Sequence, residues 1–250
     1  MKQLSVLLLL AVTVFFGVGC SSSLNTGALG PQQKYEEALK LFNDEDYVLA
    51  IKELETILLQ YSGTDVADDA QFLLARCRFE REEYILGAYE FSRLINNMPA
   101  SEFVKESQYY LATCYYELSP HFTLDQKYSQ KAIQEYQTYI DFFPTDPKVE
   151  EAEGRIREMN DKIAHKAYND ALIYEKMGYL IAAEMYFTNV IDTYHDTQYA
   201  PMASLKKINL LVSKDRKDDA LKEIENFTKK YQSSPQWSDV AAIKKSLGVQ

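Results

Sequence analysis

Cys20 is the residue whose chemistry is easiest to place. Lys2 supplies a positive start, Leu4 to Phe16 an apolar run broken only by Ser5 and Thr13, and Gly17-Val18-Gly19 small residues immediately before the thiol. The run is too short for a spanning helix, which needs about 20 apolar residues, and has the build of an export signal. Small residues fit the active site of a signal peptidase, and the cysteine thiol is the group that would carry a lipid. The other groups able to do chemistry are scattered. His121, His165 and His195 fall in a loop, on a long helix and in a turn, and none has a partner at metal-ligand spacing. Glu36-Glu37, Glu82-Glu83 and Glu150-Glu151 are carboxylate pairs at helix surfaces or starts, where solvation and the helix dipole account for them. There is no glycine-rich phosphate loop and no nucleophile elbow, so no enzyme activity, cofactor or metal is expected.

The segment before Cys20 resembles a bacterial lipobox, with Gly19 in the expected place and Gly17 where a leucine is usual. An ordinary secretory signal cut near Gly19 would leave the same small residues. Ser21 follows the cysteine instead of aspartate, which by resemblance to a known sorting signal favours the outer membrane. The expected organisation is a signal peptide over 1–19, a lipidated tether over 20–31 and a folded remainder attached to the membrane through its anchor.

The 250-residue chain carries 27 Lys and Arg against 37 Asp and Glu, a formal net charge of −10, with the two signs interspersed. No basic face for nucleic acid follows from that pattern. Nine glycines and seven prolines are too few for an all-β chain, and 19 tyrosines beside one tryptophan make the aromatic content lopsided. Cys77 and Cys114 are the remaining cysteines; either they pair in an oxidising envelope or they are buried small apolar side chains.

Self-similarity sets the fold class. Ala38, Ala75 and Ala112 stand 37 residues apart, as do Tyr35, Phe72 and Tyr109, and Phe42, Phe79 and Tyr116. The second halves repeat as well, in Tyr47 and Tyr84, Ala50 and Gly87, Leu54 and Phe91. A fixed period of this length belongs to an all-α solenoid in which each unit is a helix pair. The units resemble tetratricopeptide repeats, whose second helix often opens Asp-Tyr-x-x-Ala-Ile; here the residues are Asp46-Tyr47-Val48-Leu49-Ala50-Ile51, and Pro99 and Pro144 match the terminal proline.

Three repeats are expected over 32–147, the third carrying an eight-residue excess, Ser119 to Gln126, that Pro120 keeps out of a helix. A long linking helix from about Lys148 to Met177 and two further repeats fill 148–250. The fourth repeat is framed by Ala171, Ala183, Phe187 and Val190, and the fifth by Leu205, Ile208, Ala220, Ile224 and Phe227.

Two sets of side chains suggest binding. Tyr35, Phe42, Phe72, Phe79, Tyr109 and Tyr116 occupy two positions seven residues apart on successive first helices, so each pair shares a face. A concave aromatic strip of this kind would take an extended peptide, since aromatics give large contact area at low entropy cost; core between helices fits the same pattern. Tyr168, Tyr174, Tyr179, Tyr186 and Tyr199 cluster around the fourth repeat and suit a partner-docking face, with core packing again the competing account.

Together these features resemble the BamD family of outer-membrane protein assembly lipoproteins over nearly the whole mature chain. Tyr35-Glu36-x-Ala38, the Tyr61-Ser62-Gly63-Thr64 turn, Ser119 to Gln126 and Tyr194-His195-Asp196-Thr197 carry the resemblance; Ser62 and His195 stand where the family's turns have proline. The resemblance implies a scaffold subunit of the machinery that folds β-barrels into the outer membrane. Its partners would be unfolded outer-membrane protein C-terminal strands at the N-terminal repeats and a POTRA-containing barrel subunit at the C-terminal ones. Another tetratricopeptide lipoprotein, a secretin pilotin or a cell-wall synthesis coordinator, would share anchor and fold.

Overall fold

The structure is a computed structural model that describes residues 29–248; Cys20, the expected lipidation site, and the expected signal peptide and most of the expected tether lie outside the described residues. Helix formation follows from the apolar periodicity and from the ends. α1 (Pro31–Asn43) places Pro31 in its first turn, where the missing N–H costs nothing. α2 (Tyr47–Gln60) is capped by Asp46, whose Oδ1 accepts from the Leu49 N–H at 3.4 Å. α3 (Ala67–Glu80), α4 (Tyr84–Asn97), α5 (Val104–Glu117) and α6 (Lys127–Phe142) complete three antiparallel pairs. α7 (Val149–Lys176) is the long helix the sequence predicts, opened by Glu150 and Glu151 and ended by Lys176, as the helix dipole favours. α8 (Leu180–Thr193), α9 (Tyr199–Ser213) and α10 (Lys217–Tyr231) follow, and α11 (Trp237–Ser246) closes the stack, its Val240 buried and its Trp237 ring 6.3 Å from Phe227. Among the described residues every element is a helix, and no helix is long and apolar enough to cross a membrane.

Each helix packs on its neighbours in sequence, which is the solenoid geometry. The small residues of the period lie at the crossings: Ala38, Ala75, Ala112 and Ala171 on first helices, and Ala50, Ala132, Ala183 and Ala220 on second helices, are all fully buried. At Gly87 the approach is closest, since a Cβ there would stand 3.2 Å from the Cys114 sulfur and 3.6 Å from the Phe79 backbone nitrogen. One turn further along the second helices, Leu54, Phe91, Tyr136, Phe187 and Ile224 fill the space the small residues open. Cys77 and Cys114 are free thiols inside this core, and burial pushes each up to about 12, so they act as apolar side chains.

The turn between paired helices is built the same way four times. Glu45, Glu82, Gly178 and Asp215 take left-handed backbone, and the next N–H reaches back five residues, as in Asp46 to the Leu41 carbonyl and Tyr179 to the Tyr174 carbonyl. This is the Schellman ending, and it reverses the chain in few residues. Only the third repeat lacks it, because the Ser119 to Gln126 excess stands there instead.

Candidate protein-docking faces

The predicted aromatic strip falls between helices. Phe72 and Tyr109 are buried in core clusters, Phe72 stacked 4.6 Å from Phe103 and Tyr109 edge-on to Tyr136 and Tyr139. Tyr35, Phe42, Phe79 and Tyr116 are half-buried. Phe42 meets Tyr47 and Phe79 meets Tyr84, both edge to face at about 5.5 Å. Tyr116 donates to Glu158 at 2.7 Å while the Arg155 guanidinium lies 4.0 Å from its ring centre. Burial first, and then the hydrogen bond to Glu158, raise the Tyr116 phenol above its ordinary value. The structure therefore ties the two tyrosines of the third repeat to α7 and leaves Tyr35, Phe42 and Phe79 with partly open edges. Arg76 completes this surface, its guanidinium 4.6 Å from the Tyr110 ring and 5.8 Å from Phe42, paired with Glu80 at 2.8 Å.

The five tyrosines around the fourth repeat divide into distinct groups. Tyr168 is buried in the fourth-repeat core. Tyr199 is half-buried, its ring 5.9 Å from Tyr168 and stacked on His165. Tyr174 and Tyr186 come together, rings 4.7 Å apart, and their hydrogen bond raises the Tyr186 phenol. Tyr179 is 58 % exposed in the turn. The tyrosine count does not flag the exposed apolar side chains of these helices: Ile181 and Met185 on α8, 74 % and 67 % exposed, and Ile173 and Met177 on α7, 54 % and 60 %, of which Ile173 lines a separate cleft with Phe122. Ile181 and Met185 line two adjoining clefts on α8, one closed by Lys214 and the other by Arg216. Arg216 is held there by Glu184 at 2.6 Å and Asp219 at 2.8 Å. Adjoining apolar clefts of this kind, rimmed by charge, mark an interaction face more often than scattered single residues do.

A repeated polar clamp is missing from the fourth repeat. In the other four repeats a glutamate on the second helix ties to a polar residue on the first. Lys34 lies 4.0 Å from Glu53, Gln71 donates to Glu90 at 2.8 Å, Gln108 donates to Glu135 at 2.9 Å, and Ser204 donates to Glu223 at 2.7 Å. The equivalent residues of the fourth repeat are Ala167 and Tyr186. The signal was present in the sequence as two departures from a period. A second repetition was also legible and went unread: Val48 and Ile85, 57 % and 60 % exposed, are one period apart on α2 and α4, and Leu49 and Leu86 follow them. Among the described residues no group of three or more His, Cys, Asp or Glu side chains is placed to hold a metal.

Comparison with known proteins gives the family. Residues 28–211 match the family model YfiO, described as an outer membrane lipoprotein, the BamD family. No curated protein matches the chain. Similar solved structures include a thermophilic TPR protein of Thermus thermophilus, at 16 % identity and TM-score 0.37, covering 87 % of this chain and 98 % of that one. The TPR2AB domain of yeast Sti1, in complex with pHSP90, is 12 % identical with TM-score 0.42 over 87 % and 98 % of the two chains. A tetratricopeptide repeat protein of Parabacteroides merdae is 12 % identical with TM-score 0.40 over 80 % and 79 %.

Proposed function

We propose that this chain, which belongs to the YfiO (BamD) family of outer membrane lipoproteins, is a lipid-anchored periplasmic scaffold subunit of the outer-membrane β-barrel assembly machinery. Cys20 carries the anchor. The fourth and fifth repeats dock a POTRA-containing barrel subunit, and the half-buried aromatic edges of the first two repeats receive the C-terminal strand of an unfolded barrel protein. No bond is made or broken. The scaffold holds a client strand at one end and the core subunit at the other.

The observation that carries this reading is the pair of apolar clefts on α8, at the one repeat without a glutamate clamp, in a chain of this family. A free-standing repeat has no use for Ile181 and Met185 at 74 % and 67 % exposure unless another surface covers them. Tyr179 and Tyr186 supply the amphipathic aromatics common at such interfaces. At the other end, the open edges of Tyr35, Phe42 and Phe79 beside Arg76 suit a strand that ends in an aromatic residue.

The test is a detergent pull-down from the native envelope with mass spectrometry of the captured proteins. A POTRA-containing barrel protein is expected, and Tyr179→Ala with Met185→Ser should lose it while the helical spectrum stays. Capture of a secretin or a cell-wall synthase without that barrel protein overturns the assembly reading and leaves a lipidated repeat scaffold of another machine.

A further inference from the structure

α7 is divided end to end between two hydrophobic clusters. Its first half gives Ala152 and Met159 to the third-repeat core, with Val149 and Ile156 alongside. Its second half gives Tyr168 and Ala171 to the fourth-repeat core. Other helices that serve two clusters do so from interleaved positions, as α3 gives Leu73 and Leu74 to one and Phe72 and Ala75 to the next. In α7, residues 160–166 join neither cluster, and only Ile163 and Ala164 of that stretch are buried. A solenoid is held by contacts between neighbours only, so this stretch is where the angle between the two halves is set. Long helices bend gently unless something fixes them.

Four contacts fasten that stretch from outside it. The Lys162 ammonium donates to Ser119 Oγ at 2.9 Å. The Phe122 ring stacks on His165 with centres 3.6 Å apart and planes 20° from parallel. Tyr199 also stacks on this imidazole, at 4.7 Å and 12°, bringing in α9 of the fifth repeat. The Gln198 backbone adds a hydrogen bond to Asp161. Ser119 and Phe122 both come from the eight-residue excess of the third repeat, and that segment is internally braced. Gln126 is buried and donates to the His121 and Leu124 carbonyls, each at 3.0 Å, and accepts from Ser129 at 2.8 Å. Ser119 and Ser129 hydroxyls meet at 2.6 Å, and His121 Nδ1 meets the Thr123 hydroxyl at 2.9 Å.

We propose that residues 119–126 form a splint that fixes the angle between the two halves of the solenoid, with Phe122 the positioning residue that presses on His165 and, through it, on Tyr199. The ordinary turn of the other repeats is too short to reach the middle of a following helix, and the third repeat alone gives up that turn. The proposal is mechanical and goes beyond the choice of partners, so it stands or falls separately from the docking reading.

The test is a distance measurement by pulsed electron resonance on the full lipoprotein in detergent, with nitroxides on Lys40→Cys in α1 and Lys245→Cys in α11. Both positions are exposed, whereas Cys77 and Cys114 are buried. The parent should give one narrow distance. Phe122→Ala should add a shifted second population, and Lys162→Met, which removes the bond to Ser119 and leaves the rings, should broaden the first. Leu124→Ala, in the same loop at an exposed site, is the control and should match the parent. If Phe122→Ala and Lys162→Met both retain their helical spectrum and both give the parent distribution, the splint is refuted. If Phe122→Ala loses its fold, Lys162→Met decides alone.

Discussion

The second and fourth repeats share a skeleton and differ in what they leave open. In both, an alanine on the first helix, Ala75 or Ala171, is fully buried, and an aromatic on the second, Phe91 or Phe187, fills the space beyond. The second repeat then closes its flank with Gln71 and Glu90, and Arg93 joins Glu90 at 2.9 Å. The fourth has Ala167 and Tyr186 in those places. Both repeats expose the same two second-helix positions, Ile85 and Tyr89 in the second and Ile181 and Met185 in the fourth, so the clamp is the difference between their flanks. Core and interface are thus written on separate stripes of the same helices. A repeat can surrender its clamp without disturbing its core.

The strongest way to break this comparison is through the shared skeleton. Phe91→Ala and Phe187→Ala should each cost about 3–5 kcal/mol, the transfer energy of the ring plus the cavity left behind, and urea unfolding should give similar values for both. If Phe187→Ala cost far less, the fourth repeat would be loosely packed as a whole, and its exposed residues would reflect a poor core. A result within the expected range at both sites leaves the clamp as the difference.

The clamp itself gives the next test. Gln71→Ala removes the donor to Glu90 and should cost about 1–2 kcal/mol. Tyr186→Ala removes a side chain that is 39 % exposed and should cost no more than about 0.5 kcal/mol, while it abolishes capture of the partner in the envelope pull-down. Equal stability losses at the two sites would mean that Tyr186 does a clamp's work by its contact with Tyr174, and the division between closed and open repeats would fail.

The turns that end the repeats sharpen the contrast in a different way. Thr64 and Thr197 close theirs with a neutral hydroxyl to the Tyr61 and Tyr194 carbonyls, at 2.7 Å and 2.8 Å. The third repeat uses Asp146 in the same place. It accepts from the Lys148 N–H at 2.9 Å and pairs with Lys105 at 2.8 Å. Lys105, then the Tyr139 phenol and that N–H, hold its carboxyl well below the usual carboxylate range. A depressed pKa gives stability that is present above the unfolded value, near 4, and is lost as pH falls through the folded value. Asp146→Asn should therefore lower stability by about 1 kcal/mol at pH 7. The gap between variant and wild type should narrow below about pH 4. A melting series from pH 7 to pH 3 reads both. Thr197→Val, its counterpart in the fourth repeat, should show a loss that does not change with pH.

These differences also mark how far the sequence could be read. The 37-residue period was visible because close helix crossings admit only small side chains, so Ala38, Ala75 and Ala112 had to recur. The long helix was visible because Pro144 and Pro147 punctuate its start and nothing interrupts it for 28 residues. The aromatic positions were legible as positions but not as surfaces. Seven-residue spacing puts Phe72 and Phe79 on one face of α3 without saying whether that face meets solvent or another helix, and Phe72 meets Phe103. Tyrosine count misled in a similar way at Tyr168, which is core, and passed over Met185 and Ile181, which are not tyrosines. The clamp was the missed clue. Its partners lie 19 residues apart within the second and fifth repeats and 27 apart in the third, so it shows only once the units are laid over one another.

The smallest effect tests whether the two repeats are as equivalent in backbone as they are in core. Their internal turns are superposable in pattern, yet the left-handed residue is Glu82 in one, at φ 59°, and Gly178 in the other, at φ 80°. A side chain in that region costs about 1 kcal/mol, because Cβ crowds the following carbonyl oxygen. A Cβ built on Gly178 has no neighbour within 4 Å, so Gly178→Ala should lose about 1 kcal/mol from backbone strain alone. Glu82→Gly relieves the same strain but adds freedom to the unfolded chain, which offsets part of the gain. It should stabilise by about 0.5 kcal/mol. The two changes have opposite signs, and calorimetry on both variants resolves them. If Gly178→Ala were neutral, the left-handed turn would be a consequence of packing in the fourth repeat, and Gly178 would be tolerated there instead of required. If it costs the expected amount, the turn that presents Tyr179 and Ile181 is fixed by its backbone before any side chain contributes.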